Sequence, residues 1–488
     1  MKKHLAVIAC CLLLHVLRAQ QAIVSLSDTG GTVISKLIYG HFAEHLGRCI
    51  YDGFYRNGKI RMDIVSALKK IQVPVLRWPG GCFADQYHWK DGIGDKSKRP
   101  VRINANWGMV KEDNSFGTDE YLQLCKLLSA EPYIAGNVGT GSPQELKDWV
   151  EYLNYQKKRN VSFVGIGNES WDCGGNMNAQ FYSDQYKQFA SFLPDYSGTR
   201  LKKIAVGPYK EDYQWTETVM KNIPSDKLWG LSLHYYVFMD GFGRKGSATE
   251  FSETEYFLSM KKTLFIDELI SKHSAIMDKY DPQKKVALVV DEWGIWTDVE
   301  KGTNPDFLFQ QNSLRDALIA ATTLNIFNNH ADRVKMANLA QTVNVLQALI
   351  LTKGDSMLLT PTYYVFDMFK VHQDAKLLPL HIATPFYENA NESVAAVSGS
   401  ASMDSSGVTH ITLVNIDAGK DVPVLLGNLH YTRIEGRILS SGSLNDINTF
   451  SNPSHLAAKD WKGFEKKENG TTVILPAKSV CLLTAFPK

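Results

Sequence analysis

The chain has 488 residues, a formal charge of +2, 44% hydrophobic residues and 21% charged residues. This composition is typical of a globular protein and excludes an intrinsically disordered chain or one embedded in a membrane. The near-neutral charge gives no electrostatic reason to expect nucleic acid or a membrane surface as a partner, and the length is enough for two domains.

The N-terminal segment, residues 1–20, reads MKKHLAVIACCLLLHVLRAQ. Lys2 and Lys3 give it a basic start, and the apolar residues that follow are fewer than the roughly 20 needed to span a bilayer. We therefore predict a cleaved signal peptide and an exported bacterial protein, either periplasmic or extracellular.

Short apolar runs alternate with amphipathic stretches over residues 36–375. Runs rich in Val, Ile and Leu that end in Gly, Asn, Glu or His are typical of strands buried on both faces. The predicted strands are 38–42, 75–78, 133–137, 164–167, 204–207, 230–233, 287–291 and 334–339. The predicted helices between them are 63–71, 119–128, 143–155, 181–192 and 314–327.

Eight such strands alternating with helices predict an α/β fold, a (β/α)8 TIM barrel. An open doubly wound sheet fits less well, because no G-x-G-x-x-G motif follows the first strand. From about residue 376 helical patterns disappear, and the sequence consists of β-rich runs separated by turn residues. This pattern predicts a C-terminal antiparallel β-sandwich over residues 376–488. Its predicted strands are 393–400, 408–415, 422–425, 431–439 and 471–475. Residues 21–35 also look β-like, and we expect them to join the sandwich.

Two glutamates stand where apolar strands stop. Glu169 follows the fourth predicted strand in the string GIGNE, and Glu292 follows the seventh in VVDE. Active-site residues of such barrels sit at the C-terminal ends of the strands. A single glutamate after a strand is often a solvated loop residue, but two in corresponding positions favour a catalytic pair.

A pair of carboxylates suits the hydrolysis of a glycosidic bond. One group protonates the departing oxygen, and the other attacks the anomeric carbon when the pair stands about 5–5.5 Å apart, as in retaining enzymes. Glu169 is predicted to be the acid/base, its pKa raised by the negative charge of Glu292, the predicted nucleophile. Asn168 is placed to hydrogen-bond the 2-hydroxyl of the sugar.

The chain resembles the α-L-arabinofuranosidases of glycoside hydrolase family fifty-one in a set of segments that span most of the barrel, in order. They are YGHFAEHLGRCIYD, VLRWPGGCFADQYHWKDGIG, NWGMVKEDNSFGTDE, GIGNESW, LSLHYY, VVDEWGIW and MANLAQTVNVL. The resemblance implies a retaining, exo-acting enzyme that releases terminal α-L-arabinofuranosyl residues from arabinan, arabinoxylan or arabino-oligosaccharides. We expect no cofactor and no metal.

By the same resemblance Glu169 matches the acid/base and Glu292 the nucleophile. Positions that match residues binding the furanose or supporting the nucleophile are Glu44, Arg77, Asn168, His234, Tyr236 and Gln341. Two of these residues have alternative roles: Arg77 could form a structural ion pair, and His234 could be a core histidine. Trp107 and Trp296 are predicted either to form walls of the pocket or to pack in the core. Cys82 stands where some family members have Asn, and it is predicted to line the pocket.

Five cysteines lie outside the N-terminal segment. This odd and small number is not typical of a disulfide-stabilised fold, and it leaves open whether any two of them pair. No cysteine or histidine spacing indicates a structural zinc site. The remaining alternatives for function are a retaining glycosidase of the same clan with another specificity, such as an endo-glucanase or xylosidase, and a non-catalytic sugar-binding protein. The expected partners are arabinose-containing plant polysaccharides and oligosaccharides, and a homo-oligomer is possible.

Overall fold

The computed structural model describes residues 21–27, 31–239, 243–468 and 470–487. Eight parallel strands close into a barrel in consecutive order, which confirms the predicted fold class. We label them β1 to β8. Their bounds are Gly40–Phe42, Val75–Trp78, Glu131–Gly136, Phe163–Ile166, Lys202–Ala205, Gly230–Val237, Ala287–Ile295 and Val334–Leu339.

Eight α-helices, labelled α1 to α8, occur among the described residues. They are Met62–Lys70, Thr118–Leu128, Pro143–Glu151, Ala179–Ser191, Tyr213–Asn222, Glu253–Tyr280, Leu314–Asn329 and Pro361–Phe369. The Ser142 side chain caps α3 by accepting from the Glu145 amide, and Pro143 occupies the first turn, where its missing N–H costs nothing. None of the described helices combines the length and apolar character that a membrane crossing needs.

Some predicted bounds differ from the structure. The stretch predicted as strand 38–42 begins with a 3-10 helix, Lys36–Tyr39, because the Ser35 side chain accepts from the Leu37 amide and turns the chain. The predicted helix 143–155 leaves α geometry at Glu151 and continues as a π turn, Tyr152–Gln156. The other short helices are Ala84–Gln86, Trp89–Gly92, Lys96–Lys98, Ser225–Lys227, Pro305–Phe307 and Lys370–His372.

Two further sheets pack at the C-terminal side of the chain. The five-stranded sheet has the order Leu380–Ala383, Ala22–Leu26, Val422–Gly427, Gly470–Leu475 and Phe464–Lys467. The six-stranded sheet has the order Lys376–Leu377, Val397–Met403, Thr409–Asn415, Ser479–Phe486, Arg433–Ser440 and Lys459–Trp461. Neighbouring strands are antiparallel except for Ala22–Leu26 and Val422–Gly427, which run parallel.

Four two-stranded ribbons complete the sheet structure. They pair Tyr55–Arg56 with Lys59–Ile60, Arg102–Asn104 with Val110–Glu112, Ile350–Lys353 with Ser356–Leu359, and Phe386–Asn389 with Glu392–Ala395. The second of these lies beside the C-terminal mouth of the barrel, because the Trp107 indole between its strands reaches Glu44 just beyond β1. The loops that follow the barrel strands therefore build the site described next.

Candidate active site

Glu169 and Glu292 meet at the C-terminal mouth of the barrel. Glu169 follows β4, with its backbone in the left-handed region at φ 36°, and Glu292 lies in the second half of β7. An oxygen of each carboxylate and a ring nitrogen of His234 all lie within 4.8 Å of one another. This spacing is that of a retaining carboxylate pair and leaves no room for the water that an inverting pair holds.

Glu292 is held by two donors, one on β2 and one on β6. Arg77 at the end of β2 donates from Nη1 to Oε1 at 2.7 Å, and Tyr236 in β6 donates to Oε2 at 2.9 Å. Gly81 permits this close packing, since a Cβ there would stand 2.8 Å from Oε1 of Glu292. The charge of Glu292 and that of Asp291 raise the pKa of Arg77 against the opposing effect of burial, so the guanidinium stays charged.

Glu169 is a carboxyl whose pKa is raised. Burial is the largest cause, the hydrogen bond from His234 opposes it, and the negative charge of Glu292 adds to it. His234 Nδ1 stands 2.8 Å from Oε1 of Glu169. A raised pKa is what a carboxyl needs in order to carry a proton for donation near neutral pH.

His234 is in turn held by a carboxylate that sequence reasoning missed. Its Nε2 lies 3.1 Å from Oδ1 of Asp291, whose other oxygen accepts from the Tyr133 hydroxyl at 2.7 Å. Burial lowers the pKa of His234, but the charge of Glu292 and the hydrogen bonds to Asp291 and Glu169 raise it to about 10. The imidazole is therefore protonated and donates from both nitrogens.

Glu44, just beyond β1, accepts three hydrogen bonds. The donors are the Gln341 amide at 2.8 Å, the Trp107 indole at 2.9 Å and the Phe83 backbone at 3.2 Å. Burial and then the charge of Glu292 raise the pKa of Glu44 to about 7, although these three hydrogen bonds lower it. The carboxylate is thus oriented toward the pocket beside Glu292.

Asn168 is fixed at both its side chain and its backbone. Its Oδ1 accepts from Nη2 of Arg77 at 2.5 Å, and its backbone N–H donates to Oδ2 of Asp85 at 2.9 Å. Asp85 also accepts from the amides of Val138 and Gly139 at the end of β3. The Asn168 side-chain carbonyl is thus used by Arg77, and its Nδ2 lies 4.0 Å from the Cys173 sulfur.

These side chains surround a pocket of about 320 Å³. Its walls include Phe42, Glu44, Gly81, Cys82, Trp107, Glu169, Trp171, Asp172, Tyr209, Tyr236, Glu292, Trp296, Leu308, Gln341 and Leu346. Three predicted site residues stand behind this lining: Arg77 contacts Glu292, His234 contacts Glu169, and Asn168 contacts Arg77. Trp296 packs edge-on against Tyr236, with ring centroids 5.4 Å apart.

Cys82 is paired in the structure. It forms a disulfide with Cys173, which follows Glu169 by four residues, and both sulfurs lie near Oε2 of Glu169. The remaining cysteines of the described chain, Cys49, Cys125 and Cys481, are free and buried. The pairing could not be read from sequence, because 91 residues separate the two cysteines and no spacing rule joins them.

Two family models match the chain. The α-L-arabinofuranosidase 1 domain matches residues 67–245, and the α-L-arabinofuranosidase C-terminal domain matches residues 291–479. A curated relative, the intracellular exo-α-L-arabinofuranosidase of Bacteroides ovatus, is 46% identical over 483 residues, with 94% of each chain covered.

Solved structures agree with the family models. The family 51 (GH51) arabinofuranosidase of Xanthomonas axonopodis pv. citri is 45% identical, with a TM-score of 0.92 over 95% of this chain and 99% of that one. The arabinose complex of the α-L-arabinofuranosidase of Thermotoga maritima is 30% identical, with a TM-score of 0.80 over the same shares.

The prediction of export is wrong. The Bacteroides ovatus relative is named an intracellular enzyme, and it aligns over nearly the whole chain. Residues 1–20, on which the prediction of a signal peptide rested, lie outside the described residues. A short basic start followed by apolar residues is only a compositional signal, and it does not by itself decide the compartment.

The sequence match extends over both the barrel and the β-rich C-terminal region, and the structural match does the same. The identity is well above what shared barrel architecture alone would give. This chain therefore belongs to the α-L-arabinofuranosidases of glycoside hydrolase family 51.

Proposed function

We propose that this chain is a retaining exo-α-L-arabinofuranosidase in which Glu169 is the acid/base and Glu292 the nucleophile. The observation that carries the proposal is the pair of carboxylates whose oxygens lie within 4.8 Å of each other in the wall of the pocket. Their surroundings differ in the way that the two roles require. Glu169 has a raised pKa, whereas Glu292 accepts hydrogen bonds from the Arg77 guanidinium and the Tyr236 hydroxyl, which fix its position.

In the first half of the reaction, Glu169 donates its proton to the glycosidic oxygen while Glu292 attacks the anomeric carbon. The C–O bond to the leaving group breaks, and a covalent ester to Glu292 forms through an oxocarbenium-like transition state. Arg77 and Tyr236 hold the attacking carboxylate in place, which lowers the entropic cost of reaching the transition state.

In the second half, ester formation has removed the negative charge of Glu292. Since that charge is one of the causes that raise the pKa of Glu169, its loss lowers this pKa and Glu169 becomes a base. Glu169 then takes a proton from water, and the water oxygen attacks the anomeric carbon to release the sugar with its configuration retained.

Sugar recognition rests on the polar groups of the pocket. Glu44 is an acceptor for sugar hydroxyls, and Gln341 orients it; the Asn168 Nδ2 donates to the 2-hydroxyl, a contact that strengthens in the transition state. Trp107 and Trp296 form apolar walls against the furanose ring. The volume of about 320 Å³ is at the small end of the range of about 300–1,000 Å³ for ligand pockets, which suits a single terminal sugar.

The proposed substrates are arabinan, arabinoxylan and arabino-oligosaccharides with terminal α-L-arabinofuranosyl groups. The relative from Bacteroides ovatus is named an exo-α-L-arabinofuranosidase, and the Thermotoga maritima enzyme was solved with arabinose, which supports this sugar. The alternatives, another retaining specificity or sugar binding without catalysis, are disfavoured by family membership and by two carboxylates that repel each other in a shared pocket.

The proposal is tested with aryl glycosides and product NMR. We expect nitrophenol release from the aryl α-L-arabinofuranoside and little from the β-xyloside or β-glucoside. The arabinose first detected by NMR should have the α configuration. Activity confined to another glycoside would refute the substrate, and first appearance of the β anomer would refute the retaining mechanism.

A further inference from the structure

The Cys82–Cys173 disulfide lies against the carboxylate assigned as the acid/base. Oε2 of Glu169 is 3.9 Å from the Cys82 sulfur and 3.6 Å from the Cys173 sulfur. The other oxygen, Oε1, is the one that contacts His234. Glu169 therefore divides its two oxygens between the histidine and the two sulfurs.

The disulfide is accessible to small reagents. Both cysteines and Glu169 are only half-buried, and Cys82 and Glu169 line the pocket. A phosphine reductant would cleave the S–S bond: the phosphine is oxidised to its oxide with oxygen from water, and each sulfur takes a proton and becomes a thiol. In compartments kept reducing by glutathione and thioredoxin, the thiol form is the ordinary one.

The distances from Oε2 of Glu169 to the two sulfurs of the disulfide are close to those in a tetrahedral metal site. With Zn–S near 2.3 Å and Zn–O near 2.0 Å, a sulfur and an oxygen on one zinc stand about 3.5 Å apart, and two sulfurs about 3.8 Å apart. The two S···O distances of 3.6 and 3.9 Å already fit. The sulfurs are bonded to each other in the structure and must separate, and cleavage of the S–S bond frees the rotation about each Cα–Cβ bond through which they can do so.

We propose that the reduced enzyme binds a thiophilic divalent cation such as Zn²⁺ through the thiolates of Cys82 and Cys173 and Oε2 of Glu169, and that the bound ion stops catalysis. The fourth position opens to pocket water, as in zinc sites with three protein ligands. Binding displaces the two thiol protons. A disulfide prevents binding, because a bonded sulfur is not a thiolate ligand.

The inhibitory half of this inference rests on the proposed function, since a metal on Glu169 stops catalysis only if Glu169 moves the proton. The binding of the metal itself does not depend on the proposed function. It draws on two loops, after β2 and after β4, that are far apart in the chain, which is why no cysteine spacing in the sequence indicated it.

The test uses the full chain with cobalt(II) as a spectroscopic substitute for zinc. The enzyme is reduced with a phosphine, freed of reductant without air, and titrated with Co²⁺. We expect one Co²⁺ per chain with a near-ultraviolet thiolate-to-cobalt charge-transfer band, displaced by Zn²⁺. The oxidised enzyme should show no band. Zn²⁺ should lower the activity of the reduced enzyme at least tenfold, with recovery on adding EDTA, and leave the oxidised enzyme unaffected.

Variants identify the ligands. Cys173→Ser and Cys82→Ser should each abolish the two-thiolate band, while Cys481→Ala, which removes a buried thiol in the six-stranded sheet, should retain the band and the inhibition. Absence of a band in the reduced enzyme, or an equal band in Cys173→Ser, would overturn the site. A full band without inhibition would overturn the inhibitory half. Whether Glu169 moves the proton is measured separately, without metal, by the leaving-group experiment below.

Discussion

His234 lies among three carboxylates and sets the protonation of one of them. It contacts Glu169 and Asp291 directly, and its Nδ1 is 3.5 Å from Oε2 of Glu292. As a protonated group it lowers the pKa of Glu169, which burial and Glu292 raise. In the proposed mechanism, the histidine thus keeps Glu169 from holding its proton too tightly to release it.

Replacing His234 with Phe should shift the pH profile upward. Without the imidazolium, the pKa of Glu169 rises further, so the protonated acid persists to higher pH. The alkaline limb of kcat/KM should move to higher pH, and the maximum should fall by about 10- to 100-fold, since the carboxyl also loses its orienting donor. A profile measured on an unactivated arabinoside checks this, and a limb that moves to lower pH would contradict it.

Glu292→Ala should reduce turnover by about a thousandfold or more, because no covalent intermediate can form. Steady-state rates on the aryl arabinofuranoside measure the loss. Added azide should restore slow formation of the β-azide, the inverted product. The matched control is Glu131→Ala, which removes an exposed glutamate at the opposite end of β3 and should keep full activity. Substantial activity in Glu292→Ala would refute the nucleophile.

Glu169→Ala should affect substrates according to their leaving groups. Arabinosides with poor leaving groups need the proton and should lose about 10²- to 10⁴-fold in kcat/KM, while activated aryl arabinosides should lose much less. Azide should accelerate breakdown of the glycosyl-enzyme and give the α-azide, the retained product. Equal losses for good and poor leaving groups would show that Glu169 does not donate the proton.

Among the elements, the loops after β2, β3 and β4 are joined by one carboxylate. Asp85 accepts from the backbone amides of Val138, Gly139 and Asn168 at 2.7, 2.9 and 2.9 Å. Burial raises its pKa to about 7 against the effect of these three hydrogen bonds. The segment that carries Glu169 is therefore positioned by Asp85 from one side and by the disulfide from the other.

Asp85→Ala should leave three amides without an acceptor and lower the free energy of unfolding by about 3 kcal/mol. We expect kcat to fall more than tenfold with a smaller change in KM, because Glu169 is displaced from the reacting atoms while the furanose contacts at Glu44 remain. Asp85→Asn, which retains one acceptor oxygen, should be intermediate. Denaturant unfolding and steady-state kinetics measure both effects; a fall in stability with unchanged kcat would show a purely structural role.

The sequence predicted elements best where one local pattern determines them. The buried runs of β2 and β8 were predicted with the same bounds as the structure has. Helices α5, α6 and α8 were missed, although Ser252 and Glu255 form a capping box at the start of α6. In the C-terminal region, strands such as Ser479–Phe486 were missed, since hydrophobic runs there lack clear alternation.

For the site, sequence reasoning found the acids that end apolar runs, and the structure brings all the predicted site residues to one mouth. It missed Asp85, Asp291 and Cys173. Asp85 and Cys173 act through loops whose paths depend on tertiary contacts. Asp291 contacts the same two side chains as Glu292, namely Arg77 and His234, at a point where the register of β7 against β8 shifts. Period-two alternation does not hold across such a shift, so the sequence pattern gave no signal for the role of Asp291.

At the scale of the whole molecule, α7 joins the barrel to the C-terminal sheets. Its Asn325 accepts from the hydroxyls of Ser400 and Thr412 at 2.8 and 2.7 Å, and Asn328 Nδ2 donates to Ser400 at 3.0 Å. From the barrel side, the Tyr39 hydroxyl donates to Asn328. The helix is buried along almost its whole length, because the barrel packs on one side of it and the C-terminal sheets pack on the other.

Because α7 packs against both the barrel and the C-terminal sheets, we expect these two parts to unfold together. Asn325→Ala leaves two buried hydroxyls without their acceptor and should lower the free energy of unfolding by about 2 kcal/mol. Calorimetry should show a single transition that moves to lower temperature as a whole. Lys376→Ala, on an exposed side chain of the same six-stranded sheet, is the control that should leave it unmoved. A transition that splits into two would contradict the coupling.

The five-stranded sheet also constrains the order of events during synthesis. Its strand Ala22–Leu26 is made before its neighbours Leu380–Ala383 and Val422–Gly427, which follow more than 350 residues later in the chain. The barrel can assemble while that early strand waits unpaired. The nascent enzyme therefore exposes a free strand edge until those neighbours have been made, and during this interval the edge is open to wrong pairing with another copy.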